Sequence, residues 1–329
     1  MSTVFIGTSE FAAAVLARLA RSDAHRPALV ITRPDRPSGR GRRLGAPPVA
    51  MSARSLGIPL EQPANVNDPQ VSALISAALE AGAAGDPDDR GAAGGASGTV
   101  VVCAFGALIK EPLLSEHELL NVHPSLLPRW RGAAPVERAI MAGDARTGVS
   151  IMRLTAGLDS GPVCLAGAEP IHPDDSYGSL SARLQELGGE LLVRALDEAP
   201  PFVEQPQEGV TYAEKLGPAD RLLDPARPAV ELERVVRALH PHIGARVALA
   251  DGTLLGVHRA ALLEEDAPGA PVSGQDSEAQ AEPGATVRDG RLLLDCTPGV
   301  LELLVVQPPG GRAMDASAYL RGRGLPGSR

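Results

Sequence analysis

Asn121, Val122, His123 and Pro124 close an apolar run, Leu119 to His123, that reads as a core strand. Side chains alternate along a strand, so Asn121 and His123, two residues apart, share a face, and Pro124 ends the ladder just beyond them. An amide beside an imidazole offers a neutral donor for an oxygen gaining negative charge and a group that moves a proton at neutral pH. That pairing suits acyl transfer. Asp159 occupies a second strand end, in the glycine-bracketed loop Ala156-Gly157-Leu158-Asp159-Ser160-Gly161 after the strand Val149 to Leu154. A carboxylate there can fix the tautomer and orientation of His123, stabilise its cation and help take a proton from an attacking amine. Alone, it reads first as an Asx-turn residue.

The surrounding pattern supplies the crevice. Thr3 to Ile6, Ala28 to Thr32 and the continuous apolar run Val100 to Phe105 read as buried strands. Helical periodicity follows in Phe11, Val15, Leu16 and Leu19, again from Asp68-Pro69 to Gly82, from Pro135 to Ala142, and through Leu180, Leu184, Leu187 and Leu191. Strands alternating with helices mean an α/β protein with a doubly wound, mostly parallel sheet, in which ligands bind outside the carboxyl ends of the strands. The first turn, Gly7-Thr8-Ser9-Glu10-Phe11, lacks G-x-G-x-x-G and so speaks against a dinucleotide-dependent oxidoreductase.

A Pro-rich stretch, Ala199 to Gln207, breaks the alternation and divides residues 1–205 from 206–329. Beyond it come a helix from Pro228 to Leu239 and short strands around Ala245–Leu249, Leu254–Ala260, Gly284–Val287, Arg291–Cys296 and Val300–Gln307. Asp251-Gly252 and Asp289-Gly290 supply turns, which points to a small β-barrel. Two low-complexity inserts, 82–98 and 264–282, read as flexible loops.

Three scattered cysteines with no C-x-x-C make neither a disulfide framework nor a zinc site, so no metal is expected. No apolar run reaches the roughly 20 residues of a spanning helix and the first residues lack a signal peptide, so a cytoplasmic protein that does not touch a membrane is expected. The net charge of −9 argues against a polyanionic partner until it is located, because the two inserts account for −8 of it. By contrast, 33–43 carries Arg33, Arg36, Arg40, Arg42 and Arg43 against Asp35, a charge of +4. Pro34, Pro37, Gly39 and Gly41 argue against a regular helix or strand there and for an exposed loop. The other histidines, and Trp130 on its own, read as solvated or packed residues.

The stretch from Asn121 to Pro162, NVHPSLLPRWRGAAPVERAIMAGDARTGVSIMRLTAGLDSGP, resembles the active-site segment of the folate-dependent formyltransferases. The likeness extends through FIGTSEFAAAVLARL (5–19), TRPDRPSGRGRR (32–43), TYAEKL (211–216) and the closing LLVVQPPGGRAMDASAYLRG. The resemblance implies that Asn121, His123 and Asp159 are a catalytic trio. It further implies that Ser125, Leu126, Leu127 and Pro128 line the folate site, and that 10-formyltetrahydrofolate is the donor. Within the family the wording is most similar to the branch that formylates the α-amino group of methionyl-initiator tRNA. That branch implies tRNA contacts at Arg40, Arg42 and Arg43 and a C-terminal OB-like β-barrel that helps hold the tRNA; a monomer is expected. Phe105 stands where the family's A-Y-G turn would carry Tyr. Two other readings share the motif: a sugar-nucleotide N-formyltransferase or formyltetrahydrofolate hydrolase, and a silent nucleotide- or RNA-binding protein on the same fold.

Overall fold

The computed structural model describes residues 2–38, 43–83, 98–263 and 285–323. The chain divides into two compact units: Met1–Pro135 with Arg146–Pro170 and Ser181–Ala213, and Val136–Ala145 with Ile171–Leu180 and Glu214–Arg329.

In the first unit, β1 (Ser2–Gly7) leads into α1 (Glu10–Leu19), whose first turn is capped by the Ser9 hydroxyl accepting from the Ala12 amide at 3.2 Å. Next come β2 (Pro27–Ile31), the short strands β3 (Arg36–Ser38) and β4 (Arg43–Gly45), α2 (Pro48–Leu56) and β5 (Leu60–Glu61). Then follow α3 (Pro69–Ala83), β6 (Gly98–Cys103), α4 (Leu113–Glu116), β7 (Glu118–His123) and β8 (Arg131–Gly132). After α5 (Pro135–Ala142), which lies almost wholly in the second unit, β9 (Arg146–Arg153) and β10 (Val163–Pro170) follow. The helix α6 (Tyr177–Glu198), which belongs to this unit from Ser181 onward, and the short β11 (Tyr212–Ala213) complete the unit.

The sheet runs β10-β9-β7-β6-β1-β2-β5. The strands from β5 to β7 are parallel, whereas β9 and β10 are antiparallel additions. Its Val4, Ile6, Val100, Val102 and Leu119 pack with Val71, Ile75 and Leu79 of α3 in one core, which also buries Phe105. Phe105 therefore spends its ring on packing, while its carbonyl accepts from the Thr8 hydroxyl at 2.8 Å.

Three expectations need correction. Pro37 does not prevent a strand: β3 and β4 pair antiparallel, Arg36 opposite Gly45 and Ser38 opposite Arg43, while Gly39 and Gly41 lie outside the described residues. A two-strand ribbon has an outer edge that needs no donor, which tolerates Pro37. The first insert is also shorter than expected, since Gly82 lies in α3 and Gly98 in β6; 84–97 and all of 264–282 lie outside the described residues. Finally, α2 and the long edge strand β10 had no counterpart in the sequence pattern.

In the second unit, α7 (Ala229–Leu239) packs against an antiparallel sheet of β12 (Ala245–Ala248), β13 (Leu254–Leu262), β14 (Ala285–Arg288), β15 (Arg291–Asp295) and β16 (Val300–Gln307). The strand order is β12-β13-β16-β15-β14, with β17 (Met314–Asp315) on β16, followed by α8 (Ala316–Arg323). Leu232, Val236 and Leu239 bury themselves against Leu255, Val257, Leu294, Leu301 and Leu303. Irregular register between Val257 and Ala260 bends β13, and the sheet curls into an OB-like half-barrel.

Candidate active site

β7 sets the two polar side chains. Asn121 lies in register with Val102 on β6 and Met152 on β9, and His123 lies opposite Ser150. Both are nearly buried, 8% and 4% exposed, at the carboxyl end of the parallel strands. The chain then turns tightly. Ser125 donates its amide to the His123 carbonyl at 2.9 Å and its hydroxyl to the Arg129 carbonyl at 2.6 Å. The Ser150 hydroxyl bridges the turn from β9, donating to the Ser125 carbonyl at 2.8 Å and accepting from the Leu127 amide at 3.1 Å. Ser125 is thus turned inward as a brace, while Leu126, Leu127 and Pro128 are half-buried.

The imidazole of His123 is held from both sides. Its Nε2 lies 2.9 Å from the carbonyl oxygen of Trp130. A carbonyl only accepts, so Nε2 carries the proton and Nδ1 is left to face Asp159, whose Oδ2 is 3.7 Å away. The tautomer is therefore fixed by the Trp130 backbone and not by the aspartate. Trp130 reaches this position in the left-handed region, φ 61°, with its amide donating to the Thr211 hydroxyl at 2.9 Å. Its ring carries the Arg129 guanidinium 4.4 Å from the centroid.

Asp159 is also in the left-handed region, φ 42°, and its Oδ2 accepts the Gly132 amide at 2.8 Å. Gly132 has φ 121°, and a Cβ there would stand 2.7 Å from the Ala213 carbonyl oxygen, so only glycine fits where β8 meets β11. Behind the loop stands a residue that the sequence pattern did not single out. Gln205 donates its amide group to the Asp159 carbonyl at 2.9 Å and the Gly161 carbonyl at 2.7 Å. Its Oε1 accepts from Nε and Nη2 of Arg131 at 3.0 and 2.7 Å. A glutamine in a Pro-rich stretch carries no periodicity that would mark it.

The structure thus places Asn121 and His123 at the carboxyl end of β7 and Asp159 within 3.7 Å of His123. The arginine loop begins at the end of β2, where Gln62 donates to the Arg33 carbonyl at 2.9 Å and to Asp35 at 2.8 Å. Arg40, Arg42 and the side chain of Arg43 lie outside the described residues. Elsewhere histidines have structural partners: His25 with Asp197, His242 with Glu137, His258 with Gln307. Cys103 is fully buried, and burial pushes its thiol well above the ordinary range. Among the described residues no helix is long and apolar enough to cross a membrane.

Residues 1–196 match the family model described as formyl transferase, and 215–324 match that of the formyl transferase C-terminal domain. The chain belongs to the formyl transferase family. It is 40% identical over 332 residues to the methionyl-tRNA formyltransferase of Stenotrophomonas maltophilia, covering 98% of each chain. With that of Dechloromonas aromatica it shares 38% identity over 330 residues, 99% of this chain and 97% of the relative. The solved methionyl-tRNA formyltransferase from Clostridium thermocellum shares the fold, with a TM-score of 0.55 at 13% identity over 80% of this chain and 94% of that one.

Proposed function

We propose that this chain transfers the formyl group of 10-formyltetrahydrofolate to the α-amino group of methionyl-initiator tRNA, acting in the cytoplasm as a monomer. The full-length likeness to methionyl-tRNA formyltransferases supports the acceptor, and the facing of His123 Nδ1 and Asp159 across 3.7 Å is the observation that carries the chemistry.

The bound donor would supply an electrophilic formyl carbon. Leu126, Leu127 and Pro128, half-buried at the strand end, suit the flat face of a folate ring system, and Ser125 braces their turn. Asn121 donates to the formyl oxygen as it gains negative charge. A model α-amine has a pKa of about 7.7–8.0, so an unprotonated fraction is available to attack. Once the new C–N bond forms, the amine must shed a proton. Nδ1 of His123 and Oδ2 of Asp159 are two acceptors facing one gap, and a proton entering it is shared between them. The same pair returns a proton to the folate nitrogen as its bond to the formyl carbon breaks.

In this reading residues 1–205 carry the chemistry and 206–329 help hold the tRNA, while Arg40, Arg42 and Arg43 meet its phosphates. The test is formyl transfer from 10-formyltetrahydrofolate to charged methionyl-initiator tRNA, run beside a nucleotide-linked aminosugar. N-formylmethionyl-tRNA is the expected product. Formyl-sugar or free formate in its place would move the chain to the sugar-nucleotide or hydrolase reading.

A further inference from the structure

Gln205 closes a ring of bonds around Asp159. Starting from the carboxylate, Oδ2 accepts the Gly132 amide at 2.8 Å, and Gly132 follows Arg131 in β8. The Arg131 guanidinium grips the Gln205 carbonyl oxygen twice, and the Gln205 amide group returns to the backbone on either side of Ser160, at Asp159 and Gly161. Both Gln205 and Arg131 are 8% exposed, so water is in no position to replace these bonds.

The side chain is used to capacity. A carboxamide has two N–H donors and one carbonyl oxygen with two lone pairs, and here each donor has its own carbonyl and each lone pair its own guanidinium N–H. Only glutamine offers that polarity at that length. Asparagine is one methylene short, and an ionised glutamate would set an acceptor against two carbonyls. The bonds reach Asp159 through its main chain, held in the left-handed region that a non-glycine residue adopts only when its surroundings impose it. The ring therefore imposes the backbone from which the Asp159 carboxylate is aimed at His123.

We propose that Gln205 is a positioning residue for the reaction, setting through the Asp159 backbone the distance between the Asp159 carboxylate and Nδ1 of His123. This rests on the formyl-transfer reading above for its kinetic consequence, but not for its geometric one. The contact with His123 is a 3.7 Å approach without a hydrogen bond, so a small shift of the 156–161 loop changes whether a proton can be shared across it.

The experiment has two arms, both on the full-length protein. In the first, a double-mutant cycle combines Gln205→Leu with Asp159→Asn, with Gln205→Glu as a variant of nearly unchanged shape. The expected result for Gln205→Leu and Gln205→Glu is a fall in kcat of about 10- to 100-fold, the cost of misplacing a reacting group by up to about 1 Å. KM for folate and tRNA should stay within twofold. In the Asp159→Asn background, Gln205→Leu should add almost nothing, because its target is already gone. The second arm needs no substrate: the ring 15N signals of His123 are compared at one pH. Gln205→Leu, Gln205→Glu and Asp159→Asn should all move the Nδ1 signal and leave that of Nε2, held by the Trp130 carbonyl, nearly in place. A merely structural role would lower the melting temperature without either signature. The proposal is overturned by wild-type kcat in Gln205→Glu, by effects that multiply with Asp159→Asn, or by an Nδ1 signal that Asp159→Asn moves and the Gln205 variants do not. Absence of wild-type formyl transfer would reject the functional reading, and the 15N arm would still decide the role of Gln205.

Discussion

His123 keeps its proton against the Trp130 carbonyl, 2.9 Å from Nε2, and so presents a bare nitrogen to Asp159. The arrangement differs from a serine-protease triad, in which the carboxylate takes the N–H and holds the tautomer. Here backbone does that work, which under the proposed formyl transfer leaves the carboxylate to handle the proton that the incoming amine must lose. It also explains the strain at Trp130 and Asp159: both left-handed residues aim a group at the same imidazole ring, one a carbonyl and one a carboxylate.

Asn121→Ala, His123→Ala and Asp159→Asn should each lower kcat while leaving the folate KM within a fewfold of wild type. Loss of one donor to a developing oxyanion typically costs roughly 3–4 kcal/mol of barrier, which sets the scale for Asn121. Steady-state kinetics of single and double variants check this. If the three act as a unit, the double variants should fall little below the worse single one. Turnover at the wild-type rate in His123→Ala would remove the trio from the mechanism.

How much of this was legible beforehand depends on the kind of force involved. β6 and α5 were readable, α5 to the residue, because burial on a parallel sheet demands continuous apolar residues and Pro135 marks a first helical turn. The edge strand β10, Val-Cys-Leu-Ala-Gly-Ala-Glu-Pro, is rich in small residues and was missed, since only its pairing with β9 makes it a strand. The two-residue strands β8 and β11 have no local signal at all. The trio was visible as residue types at strand ends, but its wiring was not: a carbonyl that sets a tautomer and a glutamine that braces a loop are products of tertiary contact. The same holds for the second unit, which takes 136–145 and 171–180 from between stretches of the first unit.

The arginine loop makes a separate prediction about RNA. Guanidinium groups bind phosphate through paired, charge-assisted hydrogen bonds, and each contact releases counterions. Arg40→Ala, Arg42→Ala and Arg43→Ala should raise KM for methionyl-tRNA and leave that for the folate unchanged. Each lost contact should flatten the slope of log affinity against log salt by roughly 0.7–0.9. Measuring that slope between low and moderate salt for wild type and the triple variant decides it, and equal slopes would exclude the loop as an RNA contact.

Both inserts should be dispensable for stability. The ends of the first lie close together, since Gly98 pairs with Ser2 and Gly82 packs on the same residue. Those of the second sit in one cross-sheet row, Leu262, Leu301, Leu294, Ala285. Three strand spacings of about 4.8 Å make a span of roughly 14 Å, within reach of about six residues. Replacing 84–97 by four Gly/Ser residues, or 264–284 by six to eight, should move the melting temperature by no more than about 2 °C. Loop closure changes by only about 0.6 kcal/mol per doubling of length. A large drop in the melting scan would reveal that the removed segment contributes packing.

The second unit carries a carboxylate whose contribution should disappear in acid. Asp220 accepts the Arg138 guanidinium on Oδ1 and the Gly217 amide on Oδ2, both at 2.8 Å. Its partial burial favours the neutral acid, but the Gly217 N–H and the Arg138 charge outweigh that and hold its carboxyl below the ordinary carboxylate range. A folded-state value below the unfolded one, about 3.9, means that the stabilisation is fully present above about pH 5 and is lost as pH falls through the folded value. The side chains are 22% and 27% exposed, so solvent screening keeps the effect to about 1 kcal/mol or less. Asp220→Asn keeps an oxygen for the Gly217 amide and deletes only the charge. The variant should therefore melt up to about 2–4 °C below wild type at pH 7, and the gap should narrow steadily as pH falls below 4. Thermal unfolding followed by circular dichroism at a series of pH values measures it. A gap that widens as pH falls below 4 would show that the ion pair with Arg138 is not what depresses this group.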